Sequence, residues 1–291
     1  MEAPPFGSLK FLFLLSEELQ KIEWAGEMKF ISYGVRFGVR ANDERVLQAL
    51  SDHLPPLVQP TTAPVDKLYS IILQKRINRR RALLHTLYED GAVMAQVDSL
   101  EELYHFFETC LQLYVADSAP RRVFIHAGVV GWQGKAIVIP GRSFSGKTSL
   151  VVEFLKAGAT YYSDEYAVLD QRGRVHPYPR LLSVREAGKA IGVKHRADNF
   201  GAKTGKAPLP IGLVVATKYQ AGAVFRPRQL STGEAILAIF DNTVSARRKP
   251  TVALSTIREA IGGAQLVKGI RGASKETVAT ILKKFTIPRA F

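Results

Sequence analysis

Residues Val138–Glu165 read VIPGRSFSGKTSLVVEFLKAGATYYSDE, and this stretch decides the fold. Gly141 and the run Gly146, Lys147, Thr148 fit the pattern G-x-x-x-x-G-K-[ST] at every fixed position, in the required setting of a strand before and a helix after. The strand is "KAIVI", which runs into the glycine loop. A helix is expected from about Lys147 to Lys156, with Leu150, Val151, Phe154 and Leu155 on one stripe and Gly158 ending it. Glycine at 141 and 146 lets the backbone approach an anion more closely than a Cβ permits. Successive N–H groups then converge on phosphate oxygens, with the helix dipole behind them. Gly141, Arg142, Ser143, Phe144, Ser145, Gly146, Lys147, Thr148 and Ser149 therefore form the candidate nucleotide cradle. Lys147 is placed to reach the β and γ phosphates of ATP, and the Thr148 hydroxyl to ligate Mg²⁺.

Asp164 and Glu165 follow 17 and 18 residues beyond Lys147, at the end of the next strand. In a right-handed βαβ unit the C-terminal ends of both strands emerge on one edge, which puts Asp164 beside the phosphates. The spacing is short for an ordinary Walker B acid. Two acids at a strand end facing a phosphate loop are candidate metal ligands together with Thr148, against the plainer reading of a solvated turn.

Taken in order, "IHAGVV" with His126, "GRSFSGKTS" with Ser143 and "YYSDE" with Asp164 and Glu165 resemble the catalytic domain of the HPr kinase/phosphorylase family, bacterial protein-serine kinases whose core is related to phosphoenolpyruvate carboxykinase. Downstream, "YPRLLSVRE" and "FDNTVSARRKPTVAL" are similar to diverged members acting on peptides and other substrates, so that the resemblance spans about Arg121 to Phe285. It implies an α/β P-loop domain that transfers the γ-phosphoryl group of ATP, with Mg²⁺, to a hydroxyl, a serine of a protein or peptide foremost. On this resemblance Asp164 accepts or orients the hydroxyl proton, Glu165 holds or tunes the metal, Lys147 neutralises phosphate charge, and His126 touches the γ-phosphate or the acid pair. By itself His126 reads equally as a packed strand residue. Arg142 stands where an acid often follows the first loop glycine in the bifunctional enzymes, and Glu165 where the second acid is Asp; the family's glycine-rich phosphorolysis segment has no counterpart. These departures weigh against a reverse phosphorolysis and against HPr itself as acceptor. A P-loop ATPase or regulatory nucleotide-binding module, a kinase of a small hydroxyl compound, and a carboxykinase-like enzyme of a small acid remain as alternatives, because fold does not fix substrate.

Outward from this core, "DSAPRR" at Asp117–Arg122 reads as a boundary between an α+β unit, residues 1–120, and the α/β unit, residues 121–291. In the first unit "KFISYGVRFGVRA" alternates Ile31, Tyr33, Val35, Phe37 and Val39 with small or charged residues, the period of one half-buried strand. A helix is expected from about Asn42, strands at "KLYSIIL", "RALLHTLY" and "EDGAVMAQV", and a helix after Ser99 with a stripe of Leu103, Phe106, Phe107, Cys110, Leu111 and Leu113. This unit is expected to recognise or deliver the acceptor. In the second unit Lys194–Pro210 has almost no large apolar residues and reads as a mobile surface loop closing over it. Arg247 and Arg248 are candidates to clamp a phosphate or an acidic substrate, or else exposed charge at a helix end.

Totals set the remaining bounds. The 291 residues are 46% hydrophobic and 23% charged, the balance of a globular chain with a sizeable core. Cys110 is the only cysteine, which excludes an intrachain disulfide and a cysteine zinc cluster and fits a cytoplasmic setting. Leu9–Leu15 is apolar but too short to span a bilayer, so no membrane partner is expected. The net charge of +14 calls for something anionic, whether nucleotide phosphates, an acidic protein or peptide acceptor, or nucleic acid, and does not choose among them. The run Lys75–Arg81 reads as a solvated hairpin loop, and with no common recognition motif in the chain nucleic acid is not expected. A homo-oligomer is compatible with this composition.

Overall fold

In the computed structural model, Gly26–Ala41 is a hairpin rather than one strand. β1 (Gly26–Ser32) and β2 (Val35–Ala41) pair antiparallel, turning at Tyr33 (φ 50) and Gly34 (φ 82). Two successive left-handed residues make the tight turn whose twist matches its strands. Alternation across this stretch is a property of two antiparallel strands meeting, and it hid the turn. The same geometry recurs at Asp90 (φ 48) and Gly91 (φ 85), and at Gln133 (φ 50) and Gly134 (φ 81).

The structure describes residues 19–74, 84–142, 145–184 and 192–285. Leu9–Leu15, the basic run from Lys75 to Arg81, and the loop residues Ser143 and Phe144 lie outside them. The chain divides into two units, Met1–Pro120 and Arg121–Phe291.

In the first unit, α1 (Glu44–Ala49) is capped by Asp43, whose carboxylate accepts from Arg45 N. β3 (Gln59–Pro60), β4 (Lys67–Ile72), β5 (His85–Glu89) and β6 (Ala92–Val97) complete a six-stranded sheet of order β3-β1-β2-β4-β5-β6. Its β2–β4 pair is parallel. Helix α2 (Leu100–Ser118) packs on β5 and β6, and the Phe107 ring meets Tyr69 edge-on at 5.5 Å. Its buried stripe is Leu103, Tyr104, Phe107, Glu108, Leu111, Gln112, Val115 and Ala116. Phe106 and Leu113 are exposed instead. The buried Glu108 lies 2.6 Å from His53 Nδ1, a polar pair that an apolar-only reading of the stripe passes over. Cys110 is half-buried, and burial pushes its thiol pKa up.

The second unit is a mixed α/β sandwich. Its strands are β7 (Val123–Trp132), β8 (Lys135–Pro140), β9 (Thr160–Ser163), β10 (Tyr166–Leu169), β11 (Val175–His176), β12 (Leu182–Val184), β13 (Val193–His195), β14 (Ile211–Tyr219), β15 (Arg228–Gln229) and β16 (Gln265–Arg271). Its helices are α3 (Lys147–Lys156), α4 (Thr232–Phe240), α5 (Pro250–Ile261) and α6 (Ser274–Lys284). Eight strands form one sheet, β11-β10-β7-β8-β14-β16-β15, with β9 also paired to β7, and β12 pairs β13 separately. Strand alternation sorts side chains onto two faces. Ala136 and Val138 of β8 and Val214 of β14 join Ala235, Ile239, Ala253 and Ile257 of α4 and α5. Ile137, Ile139, Leu213 and Val215 join Leu150, Val151 and Phe154 of α3 and Val278 and Ile281 of α6. Each buried Val, Leu, Ile or Phe among these contributes about 1.5–3 kcal/mol. Gly128 on β7 lets α3 approach the sheet, since a Cβ there would lie 2.7 Å from Val151 Cγ2.

Lys194–Pro210 is not a loose loop. It contains a 3₁₀ turn, Ala197–Phe200, with Ala197 and Ala202 buried. Tyr161 N donates to Lys203 O, Gly205 N to Tyr161 O, and Leu209 and Val175 exchange backbone bonds. Small residues let this segment lie close against β9, where large apolar ones would be crowded out. Among the described residues, no helix is long and apolar enough to cross a membrane.

Candidate active site

Strand β7 runs antiparallel to both β8 and β9 and lies between them. β8 and β9 therefore point the same way, and the glycine loop after one and the acid pair after the other share an edge. β7 ties them together: Gly141 N donates to His126 O at 3.0 Å, and Ala127 N to Glu165 O at 3.1 Å. Ser163 Oγ then accepts from Glu165 N and Tyr166 N, closing the turn that presents both acids.

Gly146 (φ 79, ψ 25) is the N-cap of α3, and among the described residues no side chain caps that end. The first-turn amides are therefore available to an external acceptor. Lys147 is buried, with Nζ donating to Arg142 O at 2.9 Å. Burial pushes its pKa down, against the opposing pull of Glu165 and Asp164. Thr148 Oγ1 donates to Asp164 Oδ2 at 3.3 Å. Arg142 and Ser149 are exposed, and Gly141 packs against Ser145.

Asp164 is only 9% exposed. Burial, with repulsion from Glu165, pushes its pKa up to about 6 despite bonds from Tyr161 and Thr148. Tyr161 Oη lies 3.1 Å from Asp164 Oδ1 and 2.9 Å from Arg180 O. A phenol has one hydrogen to give. It serves an ionised Asp164, or, when Asp164 is protonated, it accepts from that acid and donates to Arg180 O. The hydroxyl is thus matched to both states of the carboxyl.

Glu165 is driven the other way. Burial pulls its pKa upward, but His126, Lys147 and Arg180 outweigh it and hold the group below its ordinary value. His126 Nδ1 stands 3.6 Å from Glu165 Oε1, too far for a hydrogen bond, and this buried nitrogen has no hydrogen-bond partner. Two adjacent carboxyls with pKa values pushed apart are the arrangement that separates a proton acceptor from a fixed charge.

Three contributors carry no local sequence signal of their role: Tyr161, Arg180 and Arg271. Arg271, at the end of β16, is the largest fully buried side chain. Its Nη2 donates to Gly146 O at 3.0 Å and Ser145 O at 3.2 Å, its Nη1 to Gly272 O at 3.2 Å. Among the described residues no carboxylate pairs with it, and Nε has no partner. Burial lowers its pKa while Tyr219 opposes. Arg247 and Arg248 are exposed, at the approach to α5.

Among the described residues no three His, Cys, Asp or Glu side chains converge on a metal position. The buried Asp164 oxygen and the Thr148 hydroxyl are instead a two-oxygen set that suits Mg²⁺, which draws its other ligands from phosphate and water. A buried carboxylate with no ion-pair partner among the described residues fits such an ion.

No family model matches the chain, and no curated protein matches it. Among solved structures, the HPr(Ser) kinase/phosphatase from Coxiella burnetii is similar over 55% of this chain and 95% of its own, at 13% identity and a TM-score of 0.30. At that level the likeness fixes neither family nor activity.

Proposed function

We propose that residues 121–291 form a P-loop phosphotransferase that moves the γ-phosphoryl group of ATP to a hydroxyl, a serine of a protein or peptide, with the first unit recognising the acceptor. The observation that carries this reading is the 3.3 Å contact between Thr148 Oγ1 and Asp164 Oδ2, which puts a buried acid at the mouth of a helix-capped anion cradle. Thr148 and Asp164 would hold Mg²⁺, which would supply neutralisation of the phosphate charge. Lys147 exchanges its bond to Arg142 O for the phosphates, and the loop amides share their charge. Asp164, buried beside the first turn of α3, takes the acceptor's hydroxyl proton as oxygen attacks phosphorus and the bond to ADP breaks. Glu165 stays charged and keeps His126, Lys147 and Arg180 oriented around that centre. Incubation with γ-labelled ATP and Mg²⁺ against peptides and small hydroxyl compounds tests this: label should pass to an acceptor with the wild type and not with Asp164→Asn. Release of inorganic phosphate alone across every acceptor would reduce the protein to an ATPase or nucleotide-binding module.

A further inference from the structure

At the far end of β10 from the acids lies a second concave site, about 330 Å³, at the lower end of the range for ligand pockets. Arg121, Arg122, Arg172 and Arg174 line it, with Asp170 and Pro208. Its one carboxylate is committed elsewhere. Asp170 Oδ1 accepts from Arg172 N at 2.9 Å and Arg174 N at 3.0 Å, and Oδ2 lies 2.8 Å from His176 Nε2. Among the described residues no acid forms an ion pair with any of the four guanidinium groups. Arg122 Nη1 donates to Arg121 O, and its buried Nε has no partner. Four cations gathered around a single carboxylate, one with a buried donor that has no partner among the described residues, leave an excess of positive charge that an anion would relieve.

The separation from the first site follows from the strand. Glu165 and Asp170 flank β10, five residues apart, or about 16 Å at the rise of an extended chain. No compact ligand reaches both. Arginine forks take two oxygens of one group each, and a tetrahedral phosphoryl group offers oxygens to forks arriving from several directions where a planar carboxylate offers two.

We propose that this pocket is a second anion site that takes the phosphoryl groups of a small molecule, separate from the glycine loop. The inference does not rest on the phosphotransferase reading. Titration calorimetry of the full chain at physiological ionic strength, with pyrophosphate as probe and citrate as a carboxylate comparison, tests it. Pyrophosphate should bind saturably, persist in Lys147→Ala, and weaken tenfold or more in Arg172→Ala/Arg174→Ala at an unchanged melting temperature. Citrate should bind more weakly. Binding abolished by Lys147→Ala, undiminished by the double substitution, or tighter for citrate overturns the assignment.

Discussion

Replacing Asp164 by Asn should stabilise the protein while ending its chemistry. Burial pushes the Asp164 pKa up to about 6, against an ordinary value of 3.8. An acid with a raised pKa favours the folded state when protonated, so its contribution is greatest below the unfolded value and is lost as pH rises through the folded one. That displacement corresponds to about 3 kcal/mol, fully lost above pH 7. Asn removes the cost without orphaning a neighbour. Its Oδ1 accepts from Thr148, and its Nδ2 donates to Tyr161 Oη, which then donates to Arg180 O at the present 2.9 Å. For a unit of this size the gain corresponds to a melting temperature higher by roughly 6–12 °C. Equilibrium urea unfolding with EDTA and no nucleotide, at a series of pH values, measures it. The difference between variant and wild type should be about 3 kcal/mol at pH 7.5 and under about 1 kcal/mol at pH 4. A difference independent of pH, or an Asn variant less stable at pH 7.5, would refute the account of Asp164 as a buried carboxyl held charged against its surroundings.

Other substitutions probe the supports. Tyr161→Phe removes the hydroxyl that bonds to Arg180 O and Asp164 Oδ1 and should cost about 1–3 kcal/mol in urea unfolding; it also removes a donor that lowers the Asp164 pKa, so any acid limb of activity should move to higher pH. Arg271→Met strips the carbonyls of Ser145, Gly146 and Gly272 of their donors and should cost about 2–4 kcal/mol, read by the same unfolding assay. Gly146→Ala meets both a left-handed φ of 79 and the Arg271 guanidinium; nucleotide affinity by calorimetry should fall at least tenfold, with about 1–3 kcal/mol of stability lost. Cys110 should react with a thiol reagent at neutral pH many times more slowly than in urea-unfolded protein, because burial holds its thiol protonated.

How far these contacts were legible in the sequence depends on the range of the interaction that makes them. The motif from Gly141 to Thr148 and the acids at 164 and 165 are local, and β8, α3 and β9 follow from their own periodicities. A two-residue turn inside an alternating run has no such signature when one of its residues is Tyr33, whose φ of 50 is imposed by the pairing on either side. Phe106 and Leu113 show the converse error, since hydrophobicity alone put them on a stripe that Glu108 and Gln112 occupy. Lys194–Pro210 looked loose because its anchors are backbone bonds to β9 and to Val175, which composition does not record. Arg271 is the limiting case. It supports Gly146 from 125 residues downstream, in a strand "QLVKGIR" whose pattern says nothing of a glycine loop. Its charge has no acid to answer it among the described residues, and its neighbours on the loop are the carbonyls of Ser145 and Gly146. A buried permanent cation behind unpaired helix amides raises the potential of the cradle in the direction that an anion lowers. The glycine pattern is written in consecutive residues; the buried cation beneath it is set by a strand 125 residues away.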